Sequence, residues 1–108
     1  MGGPEQKPVR ILIVRRLIVL MVQIFNAMKR ENEVKRRFGM AVRKARAQAG
    51  LSQEGLAAAA GLDRTYIGGV ERGERNPSLV SLKKIADGLG LSMSELFADL
   101  SASGREDG

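Results

Sequence analysis

The chain has 108 residues, of which 44% are hydrophobic and 28% are charged, as expected for one folded domain with tails. It contains no cysteine and no histidine, which excludes disulfides and thiolate metal sites and removes the most common general base. We therefore expect a binding protein that uses no cofactor and no metal, rather than an enzyme.

The net charge of +6 is distributed unevenly along the chain. Residues 29–75 carry eleven basic and six acidic side chains, whereas residues 76–108 carry three basic and five acidic ones. A basic excess in one part of a chain favours a polyanionic partner such as nucleic acid. A solvated basic helix surface would give the same pattern, so charge alone does not decide between the two.

Residues 1–33 are predicted to be an N-terminal extension. Residues 1–8 contain two glycines and two prolines, which is typical of a flexible tail, and residues 9–28 are strongly apolar. The longest run without charge, 17–28, has 12 residues. A bilayer span needs about 20, so a membrane partner is not expected.

The apolar segment 9–28 has several alternative interpretations. It is an extra helix packed on the domain or on a second subunit, a disordered extension, or a membrane contact. A signal peptide is a further alternative, although no small-residue cleavage site follows the segment. In the last alternative, translation starts later, at Met28 or Met40.

Helical periodicity and capping residues predict five helices after the extension. They cover residues 33–49, 53–60, 64–72, 78–88 and 92–100. Ser52, Asp63 and Ser78 are candidate N-caps, and Ser92 with Glu95 forms a capping box. No part of residues 29–108 alternates with period two, so the predicted fold is all-α. The domain is predicted to cover residues 34–100, with a polar tail over 101–108.

Residues 53–72 have the pattern of a helix-turn-helix unit, in which two short helices cross at a steep angle. Such a unit needs a small residue where the helices are closest, a glycine in the turn and four apolar core positions. Ala57 and Gly61 fill the first two positions, and the core positions hold Leu56, Leu62, Ile67 and Val70. A generic helical hairpin is the alternative, but six constrained positions without a violation favour the helix-turn-helix.

The second helix of such a unit lies in the DNA major groove, with its N-terminal residues nearest the bases. Arg64 suits guanine, Thr65 offers a hydroxyl or a methyl group to a base, and Tyr66 reaches a phosphate or a sugar. Asp63 is expected to cap the helix, and Glu71 to pair with an internal basic residue. The predicted DNA-binding residues are Arg46, Ser52, Gln53, Asp63, Arg64, Thr65, Tyr66, Gly69, Arg72, Arg75 and Asn76.

Three stretches carry a family resemblance: residues 50–57 (GLSQEGLA), 67–73 (IGGVERG) and 76–82 (NPSLVSL). Residues 38–97 resemble the Xre/Cro–C1 repressor type of helix-turn-helix domain. The run at 62–67 (LDRTYI) is similar to the controller proteins of restriction–modification systems. This resemblance implies a five-helix, lambda-repressor-like DNA-binding domain that forms homodimers on palindromic operators and has no enzyme activity.

The resemblance also implies residue roles. It places Arg64, Thr65 and Tyr66 at the base-reading face and Gln53, Arg46 and Arg75 near phosphate. The dimer interface that it implies is Leu91, Met93, Leu96, Phe97 and Leu100. Two features depart from the family pattern: the apolar N-terminal segment has no counterpart, and glycine occupies both positions 68 and 69. Close approach of the backbone to DNA or to a neighbouring helix would explain a glycine there.

Three functional hypotheses follow from the sequence. The first is a cytoplasmic, sequence-specific DNA-binding transcriptional regulator that acts as a homodimer. The second is an antitoxin that binds a protein toxin as well as DNA, with the apolar segment as the partner-binding element. The third is a membrane-tethered regulator with Lys29, Arg30 and the basic residues at 35–37 on the cytoplasmic side.

Overall fold

The computed structural model describes the backbone of residues 3–98 and the side-chain surroundings of residues 10–98. Within this range the first four helices are α1 (Gly3–Gln48), α2 (Gln53–Ala60), α3 (Arg64–Glu71) and α4 (Leu79–Leu89). Residues 93–98 are helical as well and belong to a fifth helix, α5. Residues 3–98 contain no strand, so the all-α prediction is confirmed.

Helix α1 begins at Gly3, far before the predicted start at residue 33. The prediction of a helix start at residue 33 is therefore wrong, and residues 3–8 of the predicted tail over residues 1–8 have helical backbone. The physical reason for the continuity across residues 9–38 is that residues 29–33 (KRENE) are good helix formers, and no proline or glycine lies in this stretch. The change in composition near Lys29 alters the surface of the helix without ending it.

The described chain divides into two compact units, Met1–Glu31 and Asn32–Gly108. In the first unit, every described side chain from residue 10 onward is exposed. By length and composition, its apolar helix could cross a membrane: the most apolar 18-residue window has a mean hydropathy of 1.9, and none of it is buried.

The second unit has a core to which all five helices contribute. Its buried members are Phe38, Val42, Leu56, Ala57, Ile67, Val70, Ile85, Ala86, Leu89 and Leu96. Helix α2 packs against both α3 and α4. The predicted core positions of the helix-turn-helix are confirmed, since Leu56, Ile67 and Val70 are at most 1% exposed and Leu62 packs against the cluster. Burial of such side chains contributes about 1.5–3 kcal/mol each.

The predicted caps set the ends of the short helices. The Ser52 hydroxyl accepts from the Gly55 N–H at 2.9 Å, and Asp63 accepts from the Thr65 N–H at 2.9 Å. Ser78 caps α4 in the same way, by accepting from the N–H of Ser81. Gly61 ends α2 at a φ of 67°, a conformation that glycine adopts without steric cost. Together, the cap and the turn fix where α3 begins.

Helix α3 lies directly on α1 at Gly39. A Cβ atom at this position would overlap the carbonyl oxygens of Val70 and Glu71. Only a residue without a side chain allows this approach of the two helix backbones. Gly39 therefore fixes the distance between α3 and α1, a role that sequence reasoning missed.

Candidate nucleic-acid interface

The N-terminus of α3 presents exposed polar side chains to solvent. Arg64 and Thr65 are both exposed, and the Arg64 side chain retains 62% of its accessible surface. Its Nε lies 3.7 Å from a carboxylate oxygen of Glu54, whose side chain is 79% exposed. An ion pair this exposed contributes little energy, so the Arg64 guanidinium remains available to a ligand. Asp63 is engaged as the helix cap, as predicted.

Arg75 lies across the surface of α3 beside Tyr66. Its Cζ is 5.8 Å from the centre of the Tyr66 ring, within the range of a cation–π contact. Gly69 makes this arrangement possible, because a Cβ at Gly69 would lie 2.9 Å from Cγ of Arg75. The Arg72 side chain lies over Gly68 in the same way, because a Cβ at Gly68 would be 3.1 Å from Nη1 of Arg72. The two glycines thus make room for two arginine side chains, and Gly69 is covered by Arg75.

Arg72 is paired with a neighbour in the following loop. It donates from Nε and Nη2 to the carboxylate of Glu74, at 2.9 and 3.2 Å. This hydrogen bonding raises the pKa of Arg72 and lowers the pKa of Glu74. Both side chains are 58% exposed, so the pair can be exchanged for another partner at low cost.

Arg46 has a different environment from the one that the sequence predicted. It donates from Nε and Nη2 to the carboxylate of Glu71, at 2.6 and 3.0 Å, and from Nη1 to the Leu51 carbonyl at 2.9 Å. The side chains of Arg46 and Glu71 are only 16% and 4% exposed. Bonding to Glu71 raises the pKa of Arg46. This ion pair engages the guanidinium that was expected to contact phosphate, and the expected internal partner of Glu71 is confirmed.

Gln53 joins the same network at the N-terminus of α2. Its Nε2 donates to Glu71 Oε1 at 3.1 Å, and the residue is half-buried. One carboxylate thus links α1, α2 and α3. No buried side-chain nitrogen or oxygen among the described residues lacks a partner. Ser52 lies exposed beside Gln53 with its hydroxyl engaged as the cap, and Asn76 is exposed in the loop after α3.

The residues expected at a dimer interface are divided between core and surface. Leu96 is 1% exposed and belongs to the core, because the capping box that begins α5 turns this position inward. A side chain this buried offers almost no surface to a second subunit. Phe97 packs against Phe38 at 6.1 Å between ring centres and remains 37% exposed. Leu91 and Met93 are half-buried, and Leu100 lies outside the described residues.

Comparison with known proteins identifies the family. Residues 42–96 match the helix-turn-helix family. The control protein C.MunI of Mycoplasma sp is 51% identical over 70 residues, which cover 64% of this chain and 95% of that protein. The control protein C.BamHI of Bacillus amyloliquefaciens is 42% identical over 67 residues, covering 61% and 83%.

The fold is also similar to crystal structures of controller proteins. The restriction–modification controller C.AhdI of Aeromonas hydrophila matches with a TM-score of 0.57 and 52% identity, covering 58% of this chain and 96% of that one. The C.Esp1396I tetramer in complex with its natural 35 base-pair operator matches with a TM-score of 0.61 and 38% identity, covering 64% and 91%.

The chain therefore belongs to the helix-turn-helix family of DNA-binding regulators. Within that family it is similar to restriction–modification controller proteins, as the run at 62–67 indicated.

Crystal structures similar to this chain include variants of C.Esp1396I. In these variants an arginine, a threonine and a tyrosine at consecutive positions, or a second arginine further along, is substituted. These positions have the same spacing as Arg64, Thr65, Tyr66 and Arg75 in this chain. Three of these residues, Arg64, Thr65 and Arg75, are exposed on or beside α3, and Tyr66 is half-buried between this surface and the core.

Proposed function

We propose that this protein reads a specific DNA sequence with α3 in the major groove and regulates transcription as a homodimer on a palindromic operator. One observation carries the proposal: Arg64 and Thr65 stand exposed at the N-terminus of α3, with Tyr66 and Arg75 in contact beside them. Helix-turn-helix proteins contact base edges from this part of the second helix. The location of this activity is the cytoplasm, and no catalytic step is involved.

The residues have separate roles in this proposal. Arg64 donates two hydrogen bonds, to O6 and N7 of a guanine, and Thr65 contacts a neighbouring base. Arg75, Tyr66 and Gln53 contact the sugar–phosphate backbone, which sets the register without reading sequence. Arg72 exchanges Glu74 for a phosphate, and Asn76 adds a contact from the loop. Arg46 acts indirectly, by holding Glu71 and through it Gln53.

Two substitutions test the separation of these roles. Arg64→Ala is expected to cost about 1–3 kcal/mol of binding and to relax base preference at one position of each half-site. Arg75→Ala is expected to weaken binding to all sequences alike and to lower the salt dependence by about one counterion. Selection from a random DNA library followed by gel-shift titration at several salt concentrations measures both effects.

Lys83→Ala is the matched control, because Lys83 is an exposed cation of α4 that is paired with Asp87. It should bind like the parent. If Arg64→Ala and Arg75→Ala also bind like the parent, the proposed use of α3 is wrong.

Footprinting on the selected sequence tests the homodimer. The two exposed recognition helices of a symmetric dimer lie one helical turn of DNA apart, about 34–36 Å. We expect two protected half-sites with inverted sequence symmetry. Protection of a single half-site would contradict the dimer. The similarity to control proteins favours this regulator over the antitoxin alternative.

A further inference from the structure

The first unit carries a surface that DNA binding does not use. Between residues 11 and 28, thirteen large apolar side chains are each 51–67% exposed. The same 18 residues contain two charged side chains, Arg15 and Arg16. Exposed apolar surface of this extent marks an interaction site.

The distribution of these side chains around the helix identifies the partner. At 3.6 residues per turn, the four polar residues Arg15, Arg16, Gln23 and Asn26 fall within an arc of about 100°. The remaining arc of about 260° is entirely apolar. A helix that pairs with a second copy in water needs only a narrow apolar seam and is polar elsewhere. Pairing would leave most of this surface in water, whereas a lipid environment covers all of it.

The length of the segment agrees with a lipid bilayer. Eighteen helical residues extend for about 27 Å, and the hydrocarbon core of a bilayer is about 30 Å thick. Arg15 and Arg16 lie four and five residues from the N-terminal end of the segment, about 6–8 Å along the axis. Arginine side chains at such a depth extend toward the headgroups while their stems stay among the lipid tails.

The flanking charges give the orientation. On the C-terminal side, residues 29–46 hold eight lysines and arginines, whereas the N-terminal side holds four when Arg15 and Arg16 are counted with it. The side richer in lysine and arginine remains in the cytoplasm. This orientation places the helix-turn-helix unit in the compartment that contains the DNA.

We infer that residues 11–28 form a membrane-spanning anchor that tethers the DNA-binding unit to the cytoplasmic face of a lipid bilayer. The sequence-based expectation of no membrane partner treated Arg15 and Arg16 as too costly to include in a span, which left only residues 17–28. The helix continues through the arginine pair, which extends the apolar segment to the length of a span.

Vesicle flotation with the full chain tests the anchor. The protein is reconstituted from detergent into vesicles of phosphatidylcholine and phosphatidylglycerol and centrifuged through a density gradient. We expect it to float with the lipid and to stay bound in 1 M salt. Leu20→Glu places a charge at the centre of the span and should reduce the floating fraction at least tenfold.

Met40→Glu is the control, because Met40 is 57% exposed on the same helix outside the span, against 52% for Leu20. It should float like the parent. The anchor would be overturned if salt released the parent from the vesicles, or if Leu20→Glu floated as well as the parent. It would also be overturned if the parent stayed in water as a dimer and Leu20→Glu dissociated that dimer. DNA binding of all three proteins in detergent should be equal, so failure of the anchor is distinct from failure of the regulator.

Labelling in cells distinguishes a span from a helix lying on the membrane surface. The chain has no cysteine, so Gly3→Cys and Asn32→Cys each introduce a unique thiol. An impermeant thiol reagent should label the first in intact cells and the second only after permeabilisation. Protection of both thiols in intact cells would overturn the spanning arrangement.

Discussion

At the residue scale, Glu71 is the side chain on which the interface depends most. It is 4% exposed on its side chain and accepts hydrogen bonds from Arg46 and Gln53. A carboxylate in this position is stabilised only as long as its partners surround it. The network therefore ties the geometry of the DNA-facing surface to the stability of the fold.

Removing this carboxylate should destabilise the protein strongly. Glu71→Ala leaves the half-buried Arg46 guanidinium without its charged partner, and the cost should be at or below the lower end of the range for a fully buried pair, about 3–5 kcal/mol. The double variant Arg46→Met with Glu71→Leu should recover most of this loss, since it removes both charges. Urea unfolding followed by circular dichroism measures the difference. Equal stability of Glu71→Ala and the parent would show that the pair is not structural.

The Arg46 environment also shows a limit of sequence reasoning at this scale. Its partner lies 25 residues away, and no local spacing rule connects the two positions. A basic residue just before a helix-turn-helix therefore suggested phosphate contact. Glu71 allowed the correct prediction of an internal ion pair, because an acidic side chain on a DNA-binding helix needs an internal partner.

At the element scale, the contact of α3 with α1 depends on Gly39. Gly39→Ala should push the two helices apart and destabilise the protein by about 1–3 kcal/mol or more. Met40→Ala, at the neighbouring exposed position, should change stability by less than about 0.5 kcal/mol. Thermal unfolding of both variants compares the two positions. A Gly39→Ala variant as stable as the parent would contradict this close packing.

The capping box of α5 predicts a dependence of stability on pH. The Ser92 N–H donates to Glu95 at 2.9 Å, and hydrogen bonds from Ser92 lower the pKa of this carboxyl below its ordinary value of 4.5. A lowered folded-state pKa contributes stability above the unfolded value, and this contribution is lost as the pH falls through the folded value. Thermal unfolding between pH 6 and 3 should therefore show a smaller decline for Glu95→Gln than for the parent. An identical decline would contradict the contribution of the box.

Helices α2, α3 and α4 could be predicted from sequence almost to the residue, because each begins at a capping side chain and ends near a glycine. The start of α1 could not, because no residue between 9 and 38 ends a helix, and Pro4 and Pro8, which usually mark a helix boundary, lie within it. The inward position of Leu96 was also missed. A family role was assigned to it without following the helical phase that the Ser92 cap sets.

At the scale of the whole molecule, the described hydrophobic core that stabilises the fold lies entirely in the second unit. Every member of the described core is at residue 38 or later. A chain of residues 32–108 should therefore retain the thermal transition of the full protein and its DNA affinity within about threefold. Circular dichroism and gel-shift titration of both chains measure this. Loss of the cooperative transition on truncation would show that the apolar segment is needed for folding.

The exposure of Arg64 and Thr65 has a consequence for how this protein can change. Both residues are exposed and neither belongs to the core cluster, whereas Ile67 and Val70 on the same helix are buried. Under the proposed use of α3, new side chains at 64 and 65 should alter the preferred DNA sequence without a folding penalty. The DNA sequence that this surface prefers can therefore change while the core of the domain stays the same.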